Sequence, residues 1–195
     1  MTIKIMLVAG ELSGDSLGSS LINSIKKISK ENIHFFGVGG PKMQASGLKS
    51  VLPFEDFSVM GFYEIVPRIP RFLNHLRTLE NLVSAEKPHV LITIDSPDFN
   101  FRLAERLCSK DFPIMHYVAP SVWAWRPARA KKISKYYDHL FAILPFEPPL
   151  FQTHGLETTF VGHPNIPKII KNYSPIFKEK YKIESKNKIL LLLPG

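Results

Sequence analysis

The chain has 195 residues, of which 45% are hydrophobic, and a formal net charge of +8. This length suits one domain with at most a fragment of a second, and the hydrophobic content excludes wholesale disorder. The positive charge favours anionic partners such as nucleotides, phospholipid headgroups or nucleic acid, although lysine-rich surfaces also serve solubility alone. Cys108 is the single cysteine, which excludes an internal disulfide and fits a reducing cytoplasm.

The sequence indicates neither a targeting segment nor a membrane-spanning segment. The apolar N-terminal stretch IKIMLVAG is shorter than a signal peptide and lacks a small-residue cleavage site. No apolar run approaches the ~20 residues that span a bilayer. Any membrane contact is therefore predicted to be peripheral.

Short apolar runs alternate with helical patterns along the chain. The runs predict strands at 3–8, 33–38, 90–94, 114–118, 139–144 and 188–193. Nearly uninterrupted runs of this kind are typical of a parallel sheet that is covered on both faces. Apolar residues at helical spacing predict helices at 15–30, 70–86 and 99–109. We therefore expect an α/β fold with a doubly wound parallel sheet.

A change in composition after residues 160–167 predicts a domain boundary. The chain becomes rich in lysine there, and the run at 188–193 then indicates a new strand followed by Pro-Gly. Such a strand normally leads into a further loop and helix. We expect residues 1–165 to form one domain, and residues 166–195 to form a linker and the first strand of a second.

The stretch AGELSGD follows the first predicted strand, at the edge where parallel sheets bind ligands. Gly10 and Gly14 permit a tight turn and a close approach of the backbone. Ser13 and Asp15 are candidates to cap the next helix, whose N-terminus can hold an anion. Glu11 has no such structural task and can contact a sugar hydroxyl, although the motif alone slightly favours a solvated loop glutamate.

The stretch TIDSPDFN places two carboxylates directly after the run at 90–94. Pro97 stops the strand, and Asp98 stands where the next helix needs an N-cap, so Asp98 is predicted to be a structural cap. Asp95 has no such task, and a partly buried carboxylate at a strand end can take a proton from a hydroxyl. On spacing alone, the catalytic and structural interpretations of Asp95 are evenly balanced.

The stretch HYVAPSVWAWRPARAKKI combines two tryptophans with four basic residues. Such a combination can bind nucleic acid, a sugar phosphate or a headgroup, whereas a helix with buried tryptophans and a solvated basic face is the structural alternative. His116 and His163 are candidates to line a pocket, but a lone histidine is more often structural. The sequence contains no metal-ligand spacing, dinucleotide fingerprint, P-loop or nucleophile elbow, so we expect neither a metal nor a cofactor.

Seven short motifs stand in a fixed order along the chain: VAGELSGD, GVGGPKMQASG, VMGFYEIV, IDSPDFN, HYVAPSVWAWRPARAKKI, LPFEPPLF and FVGHP. In order and spacing they resemble the lipid-A-disaccharide synthase family, from about Ile3 to His163 and more weakly to LLLPG. Members of that family are GT-B-like glycosyltransferases, in which two α/β domains face each other across a cleft. The resemblance implies that this chain is the Rossmann-like N-terminal domain.

The resemblance also implies a reaction. The family transfers the sugar of UDP-2,3-diacylglucosamine to 2,3-diacylglucosamine 1-phosphate, giving lipid A disaccharide and UDP, and it uses no metal in the chemistry. Asp95 matches the family's general base, and Glu11 matches a residue that the family requires. Further substrate contacts are expected from residues near the predicted strand ends and helix starts: Gly10, Ser13, Gly14, Asn100, His116, Trp123 and Arg126.

Location and partners follow from the same resemblance. We expect a cytoplasmic protein, peripheral to the inner face of the inner membrane of a Gram-negative bacterium. Its expected partners are UDP, lipid-linked sugar substrates and an anionic membrane surface, with a second copy as a further candidate and no nucleic acid. The family's nucleotide-binding domain follows LLLPG, so we expect a donor domain supplied in cis or in trans and no activity without it. The sequence GHPNIP departs from the family's pattern, which puts the contacts of that segment in question.

The stretch 59–79 predicts the membrane contact. It combines dense apolar residues with two prolines and three arginines, and it contains no acid between residues 65 and 79. A basic rim beside exposed apolar residues is how peripheral proteins meet anionic membranes. A buried helix is the alternative, and we expect docking by 62–73 and core packing by 76–83. The predicted membrane-contacting residues are Phe62, Tyr63, Ile65, Val66, Ile69, Phe72 and Leu73.

Two other function classes remain open on the sequence. One is a different UDP-sugar glycosyltransferase or epimerase of the same architecture. The apolar segment at 59–79 argues against it, because a soluble acceptor needs no such surface. The other is a non-enzymatic basic module that binds RNA or a membrane.

Overall fold

The structure, a computed structural model, describes residues 2–57, 69–125, 128–164, 176–184, 186–190 and 192. The chain separates into two compact units, Met1–Gly162 and His163–Gly195. The first unit holds the sheet and the residues at the carboxyl ends of its strands.

The first unit is built on an all-parallel sheet, which confirms the predicted fold class. The described strands are β1 Thr2–Ala9, β2 Asn32–Val38, β3 Lys49–Ser50, β4 Val90–Ile94, β5 Ile114–Tyr117, β6 His139–Ala142 and β7 Glu157–Phe160. Their order is β3-β2-β1-β4-β5-β6-β7, and each neighbouring pair is parallel. The strand order therefore reverses between β1 and β4, where a doubly wound sheet opens a crevice at its carboxyl edge.

Helices of the first unit connect the strands and cover both faces of the sheet. Those described are α1 Leu12–Ile28, α2 Pro41–Ala45, α3 Ile69–Glu86, α4 Pro97–Leu107, α5 Val122–Trp125, α6 Ala128–Ile133 and α7 Pro148–Gln152, while α8 Ile176–Lys180 belongs to the second unit. Successive residues of β1 enter two different cores: Met6 packs with α3 and α4, whereas Leu7 packs with α1 and α2. Burial on both faces explains why the strands read as nearly uninterrupted apolar runs.

The structure corrects the predicted strands in three places. The short β3 and the edge strand β7 were not predicted, because β3 has two residues and β7 (ETTF) is largely polar. The predicted strand at 188–193 is wrong for its described residues, since Lys188–Leu190 and Leu192 form no strand. Leu190 and Leu192 are 84% and 77% exposed. A strand requires a neighbour for its backbone hydrogen bonds, and an apolar run alone does not supply one.

Asp15 caps α2 rather than the helix on which it stands. Its side chain is 1% exposed, and its two carboxylate oxygens accept hydrogen bonds from the backbone N–H groups of Lys42 (3.0 Å) and Met43 (2.9 Å). A Cβ on Gly40 would lie 2.7 Å from this carboxylate, so the turn before α2 requires glycine at that place. The predicted cap of α1 by Ser13 or Asp15 is wrong, since the N-cap residue is Glu11.

We predict that Asp15→Ala lowers the free energy of unfolding by about 1–3 kcal/mol, because the buried N–H of Met43 and the partly buried N–H of Lys42 lose their acceptor. Asp15→Asn should cost less, since the amide oxygen still accepts one hydrogen bond. Urea unfolding followed by circular dichroism measures the difference. Asp111→Ala, a change at an exposed aspartate, is the control. Equal stability of Asp15→Ala and the control would contradict the capping role.

Candidate functional site

The carboxyl ends of β1 and β4 bring two carboxylates and two hydroxyls together. Ala9 and Ile94 are register partners at the ends of these strands, so the next residues of each leave the sheet at the same level. The Ser13 hydroxyl donates to Oδ2 of Asp95 at 2.8 Å, and the Ser96 hydroxyl lies 3.4 Å from Oε1 of Glu11. Asp95, Glu11 and Ser13 therefore meet at the reversal point of the sheet, where ligands of doubly wound folds bind.

The turn from β4 into α4 has an unusual backbone. Asp95 and Ser96 have φ values of 53° and 44°, a left-handed conformation that non-glycine residues rarely adopt in succession. Ser96 is the N-cap residue of α4, yet its hydroxyl makes no cap hydrogen bond and faces Glu11 instead. The sequence motif did not indicate a role for Ser96. Its position before Pro97, where helical backbone is disfavoured, was the available signal.

Glycines allow the two turns to approach each other. A Cβ on Gly10 would lie 2.7 Å from the Ser96 hydroxyl and 3.3 Å from Cβ of Phe57. A Cβ on Gly14 would lie 3.3 Å from the carbonyl oxygen of Ile94. Close backbone approach therefore accounts for both glycines, while their predicted contact with substrate stays a prediction.

Burial and a neighbouring charge both act on Glu11. The pKa of Glu11 is raised above its ordinary value, first because burial removes water from the carboxylate and second because of the negative charge of Asp95. The hydrogen bond from Ser96 opposes the shift. Glu11 therefore retains its proton to a higher pH than an ordinary glutamate, beside a carboxylate that Ser13 orients.

The predicted substrate contact of His116 is wrong, because the side chain lies in the core. His116 is 1% exposed, its Nδ1 lies 2.7 Å from the Thr93 hydroxyl, and its ring packs against Phe101 and Tyr137. Burial lowers the pKa of His116 to about 3, so the ring is neutral at physiological pH. The alternation of side chains along β5 turns this residue inward rather than toward the crevice.

Asn100 also has a different role from the predicted one. It is fully buried, and its side-chain amide donates to the carbonyl oxygens of Asp95 (2.7 Å) and Ile94 (3.3 Å). A side chain at 0% exposure does not touch a ligand in the crevice. The predicted substrate contact is therefore replaced by a contact with the turn that carries Asp95.

Asp98 is not the N-cap that the sequence predicted. It lies in the first turn of α4, after Ser96 and Pro97, and its side chain is 84% exposed. It pairs with Arg129 of α6 at 2.5 Å. The left-handed Ser96 moves the helix start two residues earlier than the spacing suggested, which leaves Asp98 as an exposed ion-pair partner.

The tryptophan-rich stretch lies after β5, at the carboxyl edge of the sheet. Trp123 is 52% exposed, packs edge-to-face on Phe146 with 5.5 Å between the ring centres, and hydrogen-bonds the buried Glu147. Its predicted substrate contact stays a prediction. Arg126 and the side chain of Trp125 lie outside the described residues.

Most of the predicted membrane-contacting residues lie outside the described part of the chain. They are Phe62, Tyr63, Ile65 and Val66, together with the side chain of Ile69. Phe72 is half-buried and packs edge-to-face on Phe99 at 5.0 Å, so it belongs to the core margin rather than to an exposed surface. Leu73 is 36% exposed. Arg71 pairs with Asp56 at 2.9 Å, so a nearby acid that precedes the segment partly neutralises the predicted basic rim.

Metal ligation and membrane crossing find no support among the described residues. Within these ranges, no group of three or more His, Cys, Asp or Glu side chains has the arrangement of metal ligands. None of the helices described is long and apolar enough to cross a membrane.

Comparisons with known proteins agree on one family. The sequence profile of the family described as Lipid-A-disaccharide synthetase matches residues 5–195. The chain is 43% identical over 194 residues to the lipid-A-disaccharide synthase of Rhodospirillum centenum, and the match covers 98% of this chain and 48% of that protein. The enzyme of the same name from Idiomarina loihiensis is 42% identical over 193 residues, with 98% and 51% covered. The chain therefore spans about half the length of these curated relatives.

Solved structures support the fold alone. A UDP co-structure of S. aureus MnaA matches 93% of this chain and 51% of its own, with a TM-score of 0.59 and 12% identity. The UDP-GlcNAc 2-epimerase of Neisseria meningitidis bound to UDP-GlcNAc matches 94% and 51%, with the same TM-score and identity. Both matches again cover about half of the larger chain.

We predict that Glu11→Gln raises the stability of the protein at neutral pH. A raised pKa means that the folded state binds the Glu11 proton more tightly than the unfolded chain, so this contribution is complete at low pH and is lost as pH rises through the folded pKa. The variant avoids that loss. Its advantage over the wild type should therefore be largest above the folded pKa of Glu11, shrink as pH falls through that pKa, and vanish below about 4.3, the ordinary glutamate value. Urea unfolding across this pH range measures the effect.

Glu31→Gln is the matched control, because Glu31 is exposed on the loop before β2. This change also removes one negative charge, but at a position remote from Asp95. A gain at neutral pH of equal size in both variants would show that net charge, rather than the burial of Glu11 and its proximity to Asp95, explains the result.

Proposed function

Because this chain belongs to the lipid-A-disaccharide synthetase family, we propose that it forms the acceptor-side half of a glycosyltransferase of lipid A biosynthesis. The enzyme joins the sugar of UDP-2,3-diacylglucosamine to the 6′-hydroxyl of 2,3-diacylglucosamine 1-phosphate and releases UDP. The observation that carries the proposal is the family match over residues 5–195. The meeting of Asp95 and Glu11 at the reversal point of the sheet supports it.

Asp95 acts as the general base in this proposal. It takes the proton of the acceptor hydroxyl as that oxygen attacks the anomeric carbon of the donor sugar. One in-line displacement inverts this carbon, and UDP leaves. A general base must lie within hydrogen-bond reach of the proton that it removes. The hydrogen bond from Ser13 to Oδ2 of Asp95 orients the carboxylate for this task.

Glu11 has the complementary role. Because its pKa is raised, it holds a proton more readily than an ordinary glutamate and can donate a hydrogen bond to a sugar oxygen. Two neighbouring carboxyl groups whose environments differ are a common basis for dividing acid and base roles in a site. The Ser96 hydroxyl, 3.4 Å from Oε1, helps to hold Glu11 in place.

The donor sugar and its diphosphate need a second binding surface. Developing charge on a departing diphosphate is stabilised by hydrogen-bond donors and helix N-termini. The relatives are about twice as long as this chain, and we assign the nucleotide-binding surface to their other half. In this proposal residues 1–165 form the acceptor-side domain, residues 166–195 lead into the nucleotide-binding domain, and that domain acts in cis or in trans.

We further propose that the protein works at the cytoplasmic face of the inner membrane, because both substrates carry acyl chains. Leu73 is partly exposed and borders an open cleft of about 490 Å³ whose walls include Arg102, Arg106 and Lys132. Basic side chains beside an apolar one suit an anionic surface. Glu80 pairs with Arg106 and Glu105 pairs with Lys132, which reduces the net positive charge of this cleft. In this proposal the predicted docking segment 62–73 therefore makes the main contact with the membrane.

In an enzyme that contains both halves, Asp95→Asn should lower kcat by about 10²- to 10⁴-fold, because the general base is lost. Asp98→Asn is the matched control. It also converts an aspartate of the same turn, and loss of its exposed ion pair with Arg129 should cost less than about 1 kcal/mol of stability and little activity. UDP release with both lipid substrates, together with the melting temperature of each variant, measures the result.

The opposite outcome would reverse the assignment. If Asp98→Asn abolished turnover in a stable protein while Asp95→Asn kept it, Asp95 would not be the base. If neither the wild-type enzyme nor any combination of the two halves released UDP, the proposed reaction would be wrong.

Membrane docking predicts that the protein sediments with liposomes of anionic lipid and that high salt weakens this binding. Replacing Ile65, Val66 and Ile69 together by serine should release it into the supernatant without unfolding. Ile28→Ser is the control, because Ile28 is an exposed apolar residue at the far end of α1. A triple variant that unfolds, with a wild type that never sediments, would place the segment in the core.

A further inference from the structure

The turn that carries Asp95 depends on backbone conformations that side chains disfavour. Asp95 and Ser96, neither of them glycine, are both left-handed, at φ 53° and 44°. Such residues persist only where the surrounding structure holds them. The N–H of Asp95 donates to the carbonyl of Tyr117 at 3.0 Å, which fixes the first half of the turn. The carbonyl groups of the turn require partners of their own.

Asn100 supplies those partners. Its amide nitrogen lies 2.7 Å from the carbonyl oxygen of Asp95 and 3.3 Å from that of Ile94, and the side chain is fully buried. Because both facing groups are acceptors, the amide must direct its NH₂ group toward them. An aspartate of the same size would instead place acceptors opposite acceptors. The chemistry of the site therefore requires an amide rather than only a side chain of this volume.

Buried hydrogen bonds hold Asn100 in turn. Its backbone N–H donates to the carbonyl of Ser96 at 3.1 Å, and the Tyr137 hydroxyl donates to the Asn100 carbonyl at 3.1 Å. The Thr93 hydroxyl, which also contacts His116, lies 3.2 Å from the Tyr137 hydroxyl. Oδ1 of Asn100 and Nε2 of His116 have no hydrogen-bond partner among the described residues, so this network is only partly satisfied. The hydrogen bonds that are made nevertheless join Asn100 to β4, β5 and the chain that precedes β6.

We propose that Asn100 is a positioning residue for Asp95: it clamps the carbonyl groups of the left-handed turn and so keeps the Asp95 carboxylate beside Ser13 and Glu11. Without the clamp the turn relaxes toward ordinary backbone conformations, and the carboxylate leaves its place. Asn100 itself does not reach the crevice, so it acts only through Asp95. The importance of this role for catalysis rests on the proposed function, whereas the positioning itself does not.

The titration of Glu11 reports where the Asp95 carboxylate is, because the charge of Asp95 contributes to the raised pKa of Glu11. The experiment follows ¹³C-labelled glutamate carboxyl groups by NMR in the 195-residue chain. Asp95→Asn removes the charge and gives the reference shift of the Glu11 pKa toward its ordinary value. Asn100→Ala should shift the pKa in the same direction and by no more than that. In the Asp95→Asn background, Asn100→Ala should add no further shift.

Two comparisons separate positioning from general packing. Asn23→Ala removes another hydrogen-bonded amide, one that donates to Ser46, and should leave the Glu11 titration unchanged. Ser96→Gly relieves the strain at one of the two left-handed positions, because glycine adopts this conformation freely. It should therefore restore much of the stability that Asn100→Ala loses, relative to Ser96→Gly alone.

Several results would overturn the inference. One is a folded Asn100→Ala protein with an unchanged Glu11 pKa, and another is an equal shift in the Asp95→Asn background. If neither Asn100→Ala nor Asn100→Ala with Ser96→Gly folded, Asn100 would be a general packing residue rather than a clamp on the turn. The titration needs no turnover. Suppose that the expected pKa shifts are observed but an enzyme that contains both halves releases no UDP. The proposed reaction would then be refuted, and the positioning role of Asn100 would stand.

Discussion

The parallel pairing of β1 with β4 is the constraint on which the rest of the structure depends. These strands lie at the centre of the sheet, where the strand order reverses, and Ala9 and Ile94 are partners at their ends. Because the register is fixed by burial on both faces, the two following turns must leave the sheet side by side. That geometry, rather than any single side chain, brings Glu11 within reach of the charge of Asp95.

Two close turns in a small space create steric and electrostatic problems that their neighbours resolve. Gly10 leaves room for Ser96, and Gly14 leaves room for the end of β4. Each carboxylate accepts a hydrogen bond from a serine hydroxyl, Asp95 from Ser13 and Glu11 from Ser96, and the hydrogen bond from Ser96 partly opposes the rise in the Glu11 pKa. What remains is a raised pKa at Glu11 and a left-handed backbone at Asp95. Strain of this kind is common where a protein orients a reactive group.

Support for the site comes from buried polar groups that were predicted to have other tasks. Asp15 ties α1 to the start of α2, and Asn100 ties α4 to the end of β4. His116, neutral and enclosed, contacts the Thr93 hydroxyl within the same core. Asn100 and His116 were predicted to contact substrate because they lie near strand ends and helix starts in the sequence. Burial instead assigns them to the scaffold, because a satisfied buried hydrogen bond fixes geometry without touching a ligand.

The sequence by itself determined the α/β class, five of the seven described strands, the family, and the place of Asp95 and Glu11 at the carboxyl edge. Uninterrupted apolar runs and local motifs carry that information, because burial on two faces and turn chemistry leave direct marks on short stretches. Only the tertiary structure decided that Ser96 rather than Asp98 begins α4, that Asp15 caps another helix, and that Asn100 faces the turn. The cap by Asp15 depends on a contact with Lys42, far away in the chain, and spacing along the sequence does not encode such contacts. The start of α4 and the contact of Asn100 are local, but they depend on the left-handed backbone of Asp95 and Ser96, which the residue types there do not indicate.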